Sequence, residues 1–253
     1  VRSLHELRKL QSRVALLSPW LAASAQASAD DRVGEIRSIA WRKYTFRYPG
    51  AVADALVEIS VSHRTGSLLV VVGANGSGKS TLLKSLLGLG GEEHGEILDG
   101  EKKLPRHSAW RSRIAYLPQR PYLGDRVSVR AALGLVGDSI SDADARIWLE
   151  RTGSWSVLEH KSAADPLATN VGTLSSGERQ RLALARFFAR DRDVYLLDEP
   201  DANLDAAGIE VTRSVVGALA KEKLVIVAAH SAALVDAADS VVRLEKGRVV
   251  PAS

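Results

Sequence analysis

Cysteine and methionine are both absent from this 253-residue chain, and aromatic residues make up only 5% of it. Without cysteine there is no disulfide framework and no thiolate metal site, which suits a reducing compartment. The lack of methionine, even at position 1, where Val1 stands, is expected of a piece of a longer polypeptide. No stretch reaches the roughly eighteen consecutive apolar residues of a membrane-spanning helix. No internal repeat or low-complexity tract is present either. Charge of one sign is not in large excess: 34 Lys and Arg face 30 Asp and Glu, for a formal net charge of +4. That mild basicity suits anionic ligands, anionic lipid or nucleic acid without choosing among them. What remains is a chain that is 45% hydrophobic, long enough for one large domain or two intimate subdomains.

The most informative stretch is VVGANGSGKSTLLKSLLGL at 71–89. The run LLVVV at 68–72 has the length and β-branching of a buried parallel strand, whereas STLLKSLLGL places its leucines at helical spacing. Between them, Gly73 to Ser80 fits G-x-x-x-x-G-K-[ST], the phosphate-binding P-loop. Glycines permit positive φ and remove Cβ atoms, so that successive backbone N–H groups converge on phosphate oxygens at the positive end of the next helix. Lys79 supplies a point charge for the β- and γ-phosphates, and Ser80 a hydroxyl for Mg2+, a hard cation that keeps oxygen ligands. Gly73, Asn75, Gly76, Ser77, Gly78 and Thr81 complete the expected phosphate-contacting set. A nucleoside triphosphate and Mg2+ are therefore the expected ligands.

Hydrolysis needs a carboxylate near the metal and a base for water. In DVYLLDEP (193–200), four apolar residues form a strand buried on both faces, and Asp198 emerges at its carboxyl end, where open α/β sheets bind ligands. Asp198 is the candidate metal-shell residue. Glu199 is the candidate base, and Pro200 ends the strand. An acidic pair in that position is also a common turn or helix cap, and its reading as chemistry depends on the P-loop.

Shortly before that strand comes LSSGERQRLALARFFAR (174–190), in which Ser-Ser-Gly opens a helix with Glu178 in its first turn. With this motif, residues 37–250 resemble the nucleotide-binding domain of an ATP-binding cassette (ABC) transporter. The fold implied is an α/β P-loop NTPase core with a parallel sheet, an antiparallel β subdomain and a helical subdomain. The resemblance also implies that Ser175, Gly177 and Glu178 of one cassette cap the ATP held by the P-loop of a second. Gln119, in AYLPQRPYLGD, resembles the Q-loop glutamine that touches metal or water, and His230, in LVIVAAHS, the switch histidine at the γ-phosphate. Asp205, in DANLDAAG, resembles the aspartate joining the two subunits. Tyr48, in YTFRYPG, resembles the aromatic residue stacked on adenine, with Tyr44 as the fallback.

The signature departs from the family's usual L-S-G-G-Q. Ser176 adds a Cβ and a hydroxyl where backbone approaches phosphate, and Glu178 adds negative charge near an anion. Weaker capping of ATP, or a mixed dimer with one weaker site, is the corresponding expectation. The upstream segment ATNVGTLSSGE keeps a Thr-x-Val-Gly trace of the exporter cross-talk loop but reaches the signature several residues early.

Two regions are expected. In residues 1–36, Leu4, Leu7, Leu10, Val14 and Leu17 recur at helical spacing ahead of a small-residue linker, and the first twenty residues carry Arg2, Arg8, Lys9 and Arg13 against Glu6 alone. The outline of a secretory signal there is set aside, because export would strand a consumer of cytosolic ATP. A basic amphipathic leader suits the cytoplasmic end of a transmembrane domain fused upstream. Residues 37–253 make the nucleotide-binding domain, with strands over 37–72 forming an antiparallel sheet, a helical subdomain over about 124–185, and alternating strands and helices beyond 190. The function implied is ATP hydrolysis coupled to transport, in an exporter at the cytoplasmic face of the cell membrane, partnered by an identical or different second cassette. The rival reading is a repair or translation ATPase acting on nucleic acid. Only fifty-five residues separate Gln119 from Leu174, too few for a long coiled-coil insertion. The chain also carries one cassette and not two, so nucleic acid is not an expected partner.

Overall fold

A computed structural model describes residues 36–251 except 89, 107 and 135–139. The leader and linker expected at 1–36 lie, apart from Ile36, outside the described residues.

Two sheets organise the chain. The first contains β1 (Ser38–Arg47), β2 (Leu56–Arg64), β4 (Glu92–Asp99) and β5 (Lys102–Lys103), all antiparallel in the order β2-β1-β4-β5. The second contains β3 (Leu68–Val72), β6 (Ile114–Leu117), β7 (Val194–Asp198), β8 (Leu224–Ala228), β9 (Ser240–Glu245) and β10 (Arg248–Val250), in the order β10-β9-β3-β8-β7-β6. Five of these strands run parallel, and β10 closes the edge as an antiparallel hairpin on β9. The apolar runs of β7 and β8 are buried at every position, as strands covered on both faces must be.

Alternation along β3 assigns the two faces. Leu68 and Val70 join Leu197, Val225 and Val227 in a core against the helices, while Leu69 and Val71 join Leu196 and Ile226 in a core shared with the antiparallel sheet. Between the sheets lies α1 (Lys79–Ser85), whose Leu82 and Leu83 are fully buried against that second core. The antiparallel sheet thus draws β4 and β5 from beyond the P-loop, and of the strands expected over 37–72 only β1 and β2 belong to it.

A bulge sets the inward face of β1. Ile39 and Trp41 point into the core, the register slips at Lys43, which has φ 47°, and Tyr44 and Phe46 then point inward in their turn. With a side-chain period of two, one extra residue exchanges odd for even positions.

A short helix, α2 (Ser108–Arg111), precedes β6 and buries Trp110 in the core of the antiparallel sheet; the helical region then comprises α3 (Val129–Gly134), α4 (Asp142–Arg151), α5 (Trp155–Lys161), two 3₁₀ turns (Pro166–Ala168 and Val171–Thr173) and α6 (Ser176–Phe188). Beyond it, α7 (Ala206–Ala220) and α8 (Ala232–Asp236) alternate with β8 and β9. Helix α1 is shorter than its leucine-rich run predicts. Its final carbonyls are taken by distant side chains: Arg106 donates to Ser85 O at 3.0 Å and Trp110 Nε1 to Leu86 O at 2.5 Å. Gly88, at φ 71°, turns the chain out of the helix while its N–H donates to Ser85 O at 3.2 Å, and the distant donors satisfy acceptors left at that end.

Candidate nucleotide-binding site

From the end of β3 the chain turns through residues 73–78 into α1. Gly73 has φ 153° and Gly78, the residue capping α1, has φ 107°. A Cβ on Gly73 would sit 2.3 Å from Leu244 O, and one on Gly78 3.0 Å from Ala55 O. The loop is therefore pressed between β9 and the start of β2, and Gly247 N–H donates to Ser77 O at 2.9 Å. Lys79 is only 4% exposed and its ammonium folds back across the loop, donating to Gly73 O at 2.8 Å and Ala74 O at 3.3 Å. The Ser77 hydroxyl is buried inside the turn without a hydrogen-bond partner. A narrow ring of backbone, one ammonium and an unused hydroxyl form a cradle that fits phosphate.

The acidic pair faces this cradle. Asp198, 2% exposed, accepts from Ser80 Oγ at 2.8 Å through Oδ1 and from the Tyr116 hydroxyl at 3.1 Å through Oδ2. Burial first, and the Asp198 charge second, push the Tyr116 phenol well above its ordinary pKa, so it stays protonated and donates. Glu199 has φ 52°, a left-handed conformation that is uncommon outside glycine, and its N–H is fixed to Ala228 O at 2.9 Å. Its carboxylate then meets three groups from three other segments: Gln119 Nε2 at 2.5 Å, His230 Nε2 at 3.4 Å and Lys79 Nζ at 4.0 Å. The loops after β7 and β8 are tied together where Ser231 N–H donates to Asp201 Oδ2 at 2.9 Å. The Ser80 hydroxyl and the Asp198 carboxylate, in contact at 2.8 Å, are hard oxygen donors of the kind that fit Mg2+, while the Gln119 amide turns its Nε2 to Glu199.

Beside the cradle opens a cleft of about 750 Å³, lined by Tyr48, Ala55, Asn75, Gly76, Thr81 and Lys246 among others. Tyr48 is 37% exposed, sets its ring edge-on against Phe46 at 4.9 Å, and places its hydroxyl 3.1 Å from Thr81 Oγ1. Tyr44, at 1% exposure, is buried inside the β subdomain and does not line the cleft. The bulge at Lys43 is the physical reason, since it turns Tyr44 inward. A second groove, about 490 Å³ between α4 and α7, is walled by Trp148, Val211, Val215 and Leu219 and carries no phosphate cradle.

Ser175, Gly177, Glu178 and Asp205 do not line the P-loop cleft. Ser175 caps α6 in a reciprocal box: Glu178 N–H donates to Ser175 Oγ at 3.3 Å, and Ser175 N–H donates to Glu178 Oε2 at 2.8 Å. Asp205 caps α7, accepting from Gly208 N–H at 2.9 Å, and pairs with Arg181 of α6 at 2.5 Å. The Gly208 N–H, and then Arg181, hold its carboxyl below the usual range. Gln180 of α6 donates to Pro200 O at 3.2 Å, so the signature helix leans on the loop that follows Glu199. The residues singled out in the sequence thus divide into a cleft group and a signature group. Sequence reasoning missed Tyr116 and Asp201; Tyr116 lies in the same IAYLPQ segment as Gln119, which is the one clue to it.

Comparison with known proteins gives the family and the fold. Residues 56–202 match the family described as ABC transporter. The chain is 33% identical over 225 residues to an ATP-dependent lipid A-core flippase of Xanthomonas euvesicatoria pv. vesicatoria, covering 84% of this chain and 37% of that protein. It is 30% identical over 221 residues to the glutathione/L-cysteine transport system ATP-binding/permease protein CydC of Escherichia coli, covering 87% of this chain and 38% of that protein. Among solved structures, a bacterial Atm1-family ABC exporter with ATP bound superposes with a TM-score of 0.77 at 23% identity, over 89% of this chain and 40% of the other. The chain therefore spans less than half the length of these relatives.

Proposed function

The chain belongs to the ABC transporter family, as an ATP-binding ATPase domain, and from that premise we propose that it hydrolyses ATP in a head-to-tail pair of cassettes to drive an exporter. The observation that carries this reading is the division of the site. Lys79, Ser80, Gln119, Asp198, Glu199 and His230 surround one cleft, whereas Ser175, Gly177 and Glu178 belong to a separate surface of the same chain. A cleft that lacks its own signature residues is completed by those of a second cassette.

In this reading Tyr48 stacks on adenine, the loop from Gly73 to Gly78 wraps the β- and γ-phosphates, and Lys79 neutralises them. Mg2+ would be held by Ser80, Asp198 and Gln119 and would supply neutralisation of the triphosphate charge. Glu199 accepts a proton as a water oxygen attacks the γ-phosphorus and the bond to the ADP oxygen breaks. His230 and Gln119 fix the carboxylate and the water. Phosphoryl transfer asks mostly for positioning and charge stabilisation, so one cassette alone is slow and closure by the second sets the rate. ATP stabilises the closed pair and hydrolysis removes that stabilisation, which makes a switch able to move attached membrane helices. The relatives named as a flippase and as an ATP-binding/permease protein support a transmembrane domain upstream and a place at the cytoplasmic membrane face. No described helix of this chain is itself long and apolar enough to cross a membrane.

The test is Glu199→Gln. Binding of Mg-ATP is expected to survive while turnover falls by about a hundredfold or more, and the variant is expected to double its mass with Mg-ATP in light scattering. Lys79→Ala is expected to weaken ATP binding itself. Normal turnover by the glutamine variant would refute the role of Glu199.

A further inference from the structure

Glu178 stands where the ABC signature usually has a neutral glutamine, and a carboxylate at that place should repel the triphosphate of a partner cassette. The structure shows how its charge is met. Helix α5 ends at Lys161, and the chain returns through the two 3₁₀ turns to the start of α6. That return brings Lys161 Nζ to 3.5 Å from Glu178 Oε2, while the same ammonium donates to Thr173 O at 3.2 Å. Both side chains are half-buried, so the pair is only partly screened by water. The neighbouring arginines of α6 are engaged elsewhere: Arg179 pairs with Asp125, and Arg181 with Asp205. Among the described residues, Lys161 is the cation recorded in an ion pair with Glu178.

We propose that Lys161 is a positioning residue of the two-cassette site: it neutralises Glu178 and holds the capping box shut, so that the start of α6 stays attractive to the ATP presented by a second copy of this chain. The proposal rests on the sandwich reading above. Its physical content is electrostatic. With Lys161 in place the helix start offers Ser175, the N–H groups around Gly177 and the positive end of the helix dipole beside a compensated carboxylate. Without it, an unpaired carboxylate faces an anion at the moment of closure, when water is being excluded and charge interactions strengthen.

The experiment uses the 253-residue chain carrying Glu199→Gln, with dimerisation in Mg-ATP followed by sedimentation equilibrium at low and high salt, and Mg-ATP affinity of the monomer measured separately. Lys161→Met, which keeps the aliphatic stem, is expected to weaken the ATP-dependent dimer by about tenfold at low salt and by less at high salt. Monomer affinity for Mg-ATP should stay at the parent value. Lys161→Arg should dimerise as the parent does, and adding Glu178→Gln to Lys161→Met should restore the dimer, which repair of a purely structural defect would not do. Parent-like dimerisation by Lys161→Met overturns the proposal, as does a defect that Glu178→Gln fails to rescue. If the Glu199→Gln parent binds ATP yet stays monomeric, the pairing of identical cassettes is refuted and the role of Lys161 falls with it.

Discussion

The cleft end and the signature end of the molecule are built by different physics. At the cleft, position is set by backbone pressed against backbone: Gly73 lies against the Leu244 carbonyl, Gly78 against Ala55, and a buried lysine folds across the loop. At the signature end the helices share a buried core, and above it ion pairs link one segment to another: Arg130 bridges Asp142 and Asp165 in the open, while Arg179 on Asp125, Arg181 on Asp205 and Lys161 on Glu178 are partly buried. Close packing has almost no slack, whereas exposed ion pairs rearrange at small cost. The glycine loop is therefore fixed by contacts without slack, whereas the exposed pairs of the helical region can shift above a core of Leu149, Leu158, Leu174 and Leu182 that is itself buried.

That contrast is sharpest at Gly73. Replacing it with alanine sets a Cβ against a carbonyl oxygen and the Ser77 hydroxyl, at a φ that alanine rarely adopts. A cost of roughly 2–4 kcal/mol is expected, together with loss of ATP binding, read by urea melts and nucleotide titration; a parent-like variant would show that the cradle is softer than its geometry implies.

The next largest effect belongs to His63, buried on β2 with its Nε2 lacking a partner. Burial lowers its pKa from 6.5 to about 4. The folded state then favours the neutral ring, so its contribution is full above pH 6.5 and is lost as pH falls from 6.5 towards 4. The loss is expected to reach up to about 3 kcal/mol, measured as unfolding free energy against pH, and His63→Gln should flatten that slope.

Tyr48→Ala should lower ATP affinity by the equivalent of roughly 1–3 kcal/mol, the range for stacking on an aromatic platform. Tyr44→Phe should leave that affinity unchanged, because its ring is buried away from the cleft. A reversed pair of results would reassign the base platform. Smallest of all, Arg130→Ala should leave the urea midpoint close to the parent's despite its two carboxylate partners, because all three groups are exposed. A marked drop would mean that the helical region is as tightly specified as the cleft.

Much of the fold was readable in the sequence because its signals are local. The glycines, lysine and hydroxyls of 73–81 sit in one turn, and LLVVV, VYLL and LVIVA each carry their own burial pattern. The Ser175–Glu178 box spans a single helical turn. What escaped is non-local. The inward turn of Tyr44 depends on a bulge that no propensity marks, and the donors to the carbonyls at the end of α1, Arg106 and Trp110, arrive from beyond β5. Tyr116 reaches Asp198 only because β6 and β7 are neighbours in the sheet, a pairing across eighty residues. The partition of the site residues into two surfaces was implied by the family resemblance, which gave Ser175, Gly177 and Glu178 to a second cassette, although the order of the motifs along the chain does not carry it.

The junction at Gly247 bears on how the protein is made. The phosphate loop belongs to the first third of the chain, yet the strand before it is flanked by β8 and β9, Leu68 N–H is held by Asp239, and Ser77 is held by Gly247. During synthesis the loop must wait for more than a hundred and fifty residues before its supports exist, leaving β3 with open edges meanwhile. A nascent chain that stalls before β9 and β10 would carry the full motif without the Leu244 and Gly247 backbone that presses against it.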